Sequence, residues 1–290
     1  MTTAPIDRRR ALRTALVLTA AFLCVEVVGG ILTHSLALLA DAGHMLTDVG
    51  GLVLSLIAMR LATRPPTPER TYGYYRAEIL AAVANAVVLL GISGFLVYEA
   101  ARRIAHPPEI HSNEMLGIAL VGLVVNGVSL FVLRGGADGS LNVKGAYFEV
   151  LSDFVTSIGV IAGAAVMWRT GWYAIDPLIS GAIGLAIVPR TWVLLREGVD
   201  VLLEGTPRGF DTQELRSTLA GIAGVVDVHD LHVWSLTSGM HAMSVHVVAA
   251  VEENRDVLLE RVRRCAQQRF AIGHVTVQVE SIRCGSDTHA

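Results

Sequence analysis

Residues 35–59 read SLALLADAGHMLTDVGGLVLSLIAM, an apolar run broken by Asp41, His44 and Asp48. His44 and Asp48 are four apart, so on a helix they project from one face. A second stretch, GAYFEVLSDFVTSIGVIAGAAVM at 145–167, repeats the device with Glu149 and Asp153. Ionisable groups at membrane depth are costly, so they face the protein interior and act on an ion or proton path. Two facing pairs supply one imidazole nitrogen and three carboxylates, which suit a borderline divalent ion in tetrahedral geometry. These residues point to a metal transporter. The competing reading is a buried polar network that only ties two helices together.

Composition supports a membrane setting. The chain has 290 residues, 52% of them hydrophobic and 17% charged, with a mean hydropathy of +0.53. Those values fit a membrane protein better than a soluble enzyme. The net charge of −3 comes without a basic patch interleaved with aromatics, so no nucleic-acid partner is expected. Cys24, Cys265 and Cys284 are odd in number and far apart, which excludes a disulfide framework. Arg8, Arg9 and Arg10 precede an apolar run that superficially resembles a signal peptide. The run is too long, and another apolar segment follows directly, so it reads as a retained first span.

A bilayer is crossed by about 20 apolar residues in a helix. Six segments qualify: 12–33, 36–61, 77–101, 115–133, 146–168 and 175–195. Basic residues crowd one set of connections: Arg8–Arg10 and Arg13, then Arg60, Arg64, Arg70 and Arg76, then Arg134 and Lys144, then Arg196 and Arg208. The other set offers Arg102, Arg103 and Arg169. The richer side is the cytoplasmic one, so both termini are expected inside. Absence of a cleavable leader and short loops suit a bacterial inner membrane.

The texture changes after about Gly205, dividing the chain into a six-helix transport domain at 1–205 and a small domain at 206–290. DTQELRSTLAGIAG and NRDVLLERVRRCAQQRF read as helices. VVDVHDLHVWSL, GMHAMSVHVVAAV and HVTVQVESI alternate as strands, the first two joined through the hairpin signal Thr237-Ser238-Gly239. The order α-β-β-α-β predicts a ferredoxin-like α+β domain with helices on one sheet face. Val233, Val245, Val247, Val275 and Val277 are its expected core. Cys265 reads as a small apolar helix residue, and Trp234 as a core or interface residue.

Four stretches resemble the cation diffusion facilitator family, the divalent-metal/proton antiporters. VEVVGGILTHSLALLADAGHMLTDVGGL (25–52) is similar to its first two helices, and RTYGYYRAEILAA (70–82) to the start of the third. SLNVKGAYFEVLSDFVTSIGVI (140–161) resembles the fifth, and VHDLHVWSLTSG (228–239) the start of the cytoplasmic domain. They occur in order and cover nearly the whole chain. The resemblance implies a Y-shaped homodimer exporting zinc or a related ion in exchange for protons. It implies a bundle of helices one, two, four and five around the metal, with three and six beside it. It also places regulatory metal ligands at His229, His246 and Glu280, with His232, His241, Cys284 and His289 nearby. The alternative for these histidines is ordinary polar strand residues.

Three carboxylates crowded around one ion repel one another when it leaves, and protons relieve that repulsion. Metal and protons then compete for one site, which suffices for antiport when access alternates. Many zinc members of the family have histidine where this chain has Glu149. Glutamate makes the site harder, and oxygen-rich sites tolerate manganese or iron better. Zinc remains the first expectation, with manganese, iron, cobalt or nickel export as the alternative. A non-transporting metal-sensing receptor is a rival of another class. An intramembrane metalloenzyme lacks its His-Glu-x-x-His signature here, so no enzyme is expected.

Other polar residues have weaker readings. Asp41 lies three before His44, either guiding ions at the outer mouth or placed to suit the helix dipole. Glu26 and Asp176 are expected at solvated helix ends. Asn85 and Asn126 are expected to make interhelical hydrogen bonds, and Gly43, Gly50 and Gly51 to permit close helix contact. Arg76 and Glu78 read as helix-end charge pairs. Arg70 and Tyr74 stand where some family members hold a second metal, so no metal is expected there. Histidine-rich loops are also absent, and His106 and His111 read as surface residues.

Overall fold

The structure is a computed structural model that describes residues 5–134 and 141–284. The side chains of 5–13, 52, 55, 56, 59 and 141–146 lie outside that description. The expectations placed on Arg8–Arg10, Arg13, Lys144, most of the 133–144 loop and His289 fall there. Six long helices come first: α1 (Pro5–Thr33), α2 (Leu36–Ala62), α3 (Arg76–Ala105), α4 (Ser112–Arg134), α5 (Leu141–Thr170) and α6 (Ile175–Leu202). Among the described residues, five stretches are long and apolar enough to cross a membrane: Thr14–Thr33, Arg76–Ala105, Ser112–Arg134, Tyr147–Thr170 and Ile175–Leu202. α2 has 27 residues, about 40 Å at 1.5 Å per residue, and carries the polar stripe. The remaining elements are α7 (Thr212–Ala220), β1 (Val225–Thr237), β2 (Met240–Ala249), α8 (Arg255–Phe270) and β3 (Ile272–Glu280).

The chain divides into two compact units, Met1–Leu54 with Ala84–Leu194, and Ser55–Val83 with Leu195–Ala290. In the first, α4 packs on α1 and α5. Small residues bring the helices together. A Cβ added at Gly122 would run into the ring of Phe22, which is itself buried. One at Gly43 would meet Ile92 Cγ2 at 3.0 Å, and one at Gly51 would meet Asn85 Nδ2 at 2.9 Å. Gly50 faces open space instead, so the close-contact expectation fails at that glycine. Asn126 donates to Ser157 Oγ at 3.4 Å, joining α4 to α5 as expected of an intramembrane amide.

The start of α2 is held by a distant residue. His34 adopts φ 60°, turning the chain sharply between α1 and α2. Asp176, from the first turn of α6, then accepts from Ser35 Oγ at 2.6 Å, Leu36 N at 2.8 Å and Ala37 N at 3.2 Å. It satisfies amide groups that the helix itself leaves unpaired. Asp176 is fully buried, which corrects the expectation of a solvated helix end. Nearby, Arg103 donates to the His34 carbonyl at 2.8 Å and to Glu99 at 2.9 Å.

In the second unit, β1, β2 and β3 form a sheet in that order, β1–β2 antiparallel and β2–β3 parallel. Thr237 pairs with Met240, leaving a two-residue turn in which Gly239 takes φ 74°. α8 is the crossover that a parallel β2–β3 pair requires. Asp211 caps α7 through Gln213 N and Glu214 N, and Asn254 caps α8 through Asp256 N and Val257 N. Leu215, Leu219, Leu258, Val262 and Ala266 of the helices meet Val228, Val233, Met243, Val245 and Val247 of the strands. Val275, Val277 and Cys265 pack at the margin of that core. Arg76 pairs with Glu204 at 2.8 Å rather than with Glu78, whose Oε2 accepts from Thr237 Oγ1 at 2.6 Å. Arg70 lies over the Tyr74 ring.

Candidate metal sites

The i,i+4 spacing on α2 puts His44 Nε2 3.8 Å from Asp48 Oδ2. Asp153 reaches them from α5, and one donor atom from each of the three lies within 4.8 Å of the others. Asp153 is 2% exposed. Among the described residues, His44 Nδ1, Asp48 Oδ2 and Asp153 Oδ1 are buried with no donor to pair them. A structural polar network would pair such atoms, because an unpaired buried polar group costs about 1–3 kcal/mol. A cation held among them removes the cost.

Glu149 stands slightly apart. It is not in the three-residue donor set, yet it interacts electrostatically with His44, Asp48 and Asp153 and its carboxyl is within hydrogen-bonding reach of Asp48. It sits one turn before Asp153, and its longer side chain has one more rotatable bond with which to swing inward. Arg190 of α6 also interacts with His44 and Asp48, a neighbour that the i,i+4 pattern does not mark. Its signal is an arginine directly after Pro189, inside an apolar span, where a charge is costly.

Asp41 is buried at 2% exposure, and Glu26 of α1 at 1%. Their side chains contact each other, and both interact with Asp153. The expectation that Glu26 sits at a solvated helix end is therefore wrong. It lies seven residues back from the end of α1, inside the packed helices.

A second cluster forms in the C-terminal domain. Val245 and Val247 point into the core beneath the helices, so His246 between them points to the opposite sheet face. His229 follows Val228 in the same way and is paired with His246 across the ladder. Glu280, at the end of β3, comes within 3.1 Å of His229 Nε2 and within 3.1 Å of His246 Nδ1. The chain then turns, and Cys284 N donates to Glu280 Oε2 at 3.0 Å while Cys284 Sγ stands 3.4 Å from His246 Nδ1. All four residues offer donor atoms within 4.8 Å of one another. The Cys284 side chain and backbone amide, the Gln278 side chain and His229 hold the Glu280 carboxyl down to about 2, so it is anionic at neutral pH. Two imidazoles, a carboxylate and a thiol fit a tetrahedral zinc-like ion.

Cys284 has only a minor place in the sequence pattern, because nothing in its residue types foretells the turn after β3. His232 and His241 stay outside the four. His232 Nε2 lies 2.9 Å from Asp230 Oδ1, and His241 Nδ1 lies 3.1 Å from Ser235 Oγ. Asp230 takes φ 49° at a bulge between His229 and His232, which separates those two histidines. His106 and His111 are exposed.

Comparison with known proteins gives matches along nearly the whole chain. Residues 12–203 match the family described as the cation efflux transmembrane domain, and residues 207–282 match the cation efflux protein cytoplasmic domain. The metal cation efflux system protein CzcD of Cupriavidus metallidurans is 47% identical over 282 residues, covering 97% of this chain and 89% of that one. The zinc transporter ZitB of Escherichia coli is 39% identical, covering 98% and 91%. The cadmium, cobalt and zinc/H(+)-K(+) antiporter of Bacillus subtilis is 37% identical, covering 94% and 89%. A solved structure described as the metal-bound C-terminal domain of the CzcD transporter matches at 36% identity and a TM-score of 0.24, covering 24% of this chain and 99% of that one.

Proposed function

Because this chain belongs to the cation efflux family, we propose that it expels zinc or a similar divalent cation from the cytoplasm in exchange for protons, using His44, Asp48, Glu149 and Asp153. Membership makes it a multi-pass membrane transporter of divalent metal cations, and not an enzyme. The carrying observation for the site is the convergence of His44, Asp48 and Asp153, each with a buried atom lacking a partner. The three-acid set binds either a divalent ion or protons, and Glu149 swings in when the ion arrives. Arg190 offsets part of the negative charge left behind. Rocking of the helices exposes the site to one side at a time.

Relatives are named for zinc, cadmium and cobalt, and one name includes proton exchange. Those names support zinc over manganese, iron or nickel, and a carrier over a metal-sensing receptor. Both termini and residues 206–290 are assigned to the cytoplasm of a bacterial inner membrane, with the protein a homodimer. Residues 1–205 are the transport domain.

The test is metal uptake by the reconstituted full-length protein under an imposed proton gradient. His44→Ala and Asp153→Ala should abolish zinc uptake while the protein stays folded by size exclusion. Undiminished uptake in both, or uptake in the wild type that ignores the gradient, rejects this reading.

A second reading concerns the C-terminal domain, where His229, His246, Glu280 and Cys284 would hold a regulatory metal ion. Their mutual donor spacing and the anionic state of Glu280 favour it.

A further inference from the structure

Among the described residues of the first unit, four acids are buried outside the three-residue donor set, and two of them are well paired. Glu99 accepts from Arg103 at 2.9 Å and from Arg102 at 3.0 Å. Asp176 accepts three hydrogen bonds at the head of α2. Glu26 and Asp41 are different. They are 1% and 2% exposed, they contact each other between α1 and α2, and among the described residues no basic side chain interacts with either. Among the described residues, Glu26 Oε2 and Asp41 Oδ1 are buried with no donor to pair them. Two abutting acids make poor structural glue, because each burdens the other and among the described residues their mutual contact is the compensation the structure gives them.

We propose that Glu26 and Asp41 form a second binding position for the transported divalent cation, one helical turn along α2 from the His44–Asp48–Asp153 donor set. The proposal rests on the transport reading above and extends it. Asp41 lies three residues from His44, about 4.5 Å along the helix axis. Asp153 interacts with Asp41 and Glu26 as well as with Asp48, so it belongs to both positions and can pass an ion between them. The pair offers only carboxylate oxygens and no imidazole. It holds a zinc-like ion more loosely than the donor set does. Loose, adjacent binding is what a path needs if ions are to enter and also leave.

The test measures cadmium bound per chain by equilibrium dialysis of the full-length protein in lipid nanodiscs, together with cadmium uptake in liposomes. The variants are the double change Glu26→Gln with Asp41→Asn, both isosteric single changes, and His44→Ala as a separate reference. The double variant should bind one cadmium fewer than wild type and transport about tenfold more slowly. If it fails to fold, the two single variants are read by the same criterion. An unchanged cadmium count overturns the proposal whatever happens to uptake, since the pair then holds only a shared proton or a structural contact. His44→Ala transporting normally would reject the donor-set reading instead, so the two failures are told apart.

Discussion

Glu149 is the residue that sets how hard the proposed transport site is. It brings a third carboxylate to a set with a single imidazole, and oxygen ligands widen tolerance toward manganese and iron. Glu149→His should therefore raise the preference for zinc over manganese by about tenfold in liposome uptake, equivalent to roughly 1.4 kcal/mol. An unchanged ratio across a panel of zinc, cadmium, cobalt and manganese would remove Glu149 as the selecting residue. The residue's chemistry was visible in the sequence, because an acid four before Asp153 must share its helix face. Its offset from the three converging donors was not, because a glutamate side chain has several rotamers and only packing chooses among them. The same distinction separates Glu280 from Cys284. The first was marked by resemblance, whereas the second joins through a turn with no signature in its residue types.

Elements add constraints that single residues do not. α2 carries His44 and Asp48, and its first turn is tied to α6 through Asp176. Loss of that carboxylate frees two amides and a hydroxyl at a buried helix end. Asp176→Ala should cost about 2 kcal/mol, seen as a lower unfolding midpoint, and should also weaken zinc binding at the transport site. A variant with normal stability and affinity would show that the α2 head needs no such anchor. Helices, strands and the hairpin were legible because apolar runs, period-two alternation and Thr237-Ser238-Gly239 are local signals. The partner of the α2 head was not, since Ser35 and Asp176 are 141 residues apart.

At the scale of the whole molecule, the crowding of arginines in alternate connections sets the expected orientation. A cysteine placed at His106 should react with a membrane-impermeant maleimide added outside intact cells, and one placed at Thr67 should not. The reverse pattern would invert the proposed topology and with it the direction of export. The sequence by itself determined that this is an α-helical membrane protein with a small α+β domain, and that two helix faces each carry an i,i+4 pair of ionisable groups. Hydropathy and i,i+4 spacing are properties of short stretches, and they survive whatever the rest of the chain does. Only the tertiary structure decided which polar groups are compensated. It buried Asp176 among donors, turned Glu26 and Asp41 toward each other with a basic partner for neither among the described residues, and placed Arg190 within electrostatic reach of the donor set. Compensation depends on distances between segments far apart in the chain, and those distances arise only when the helices pack.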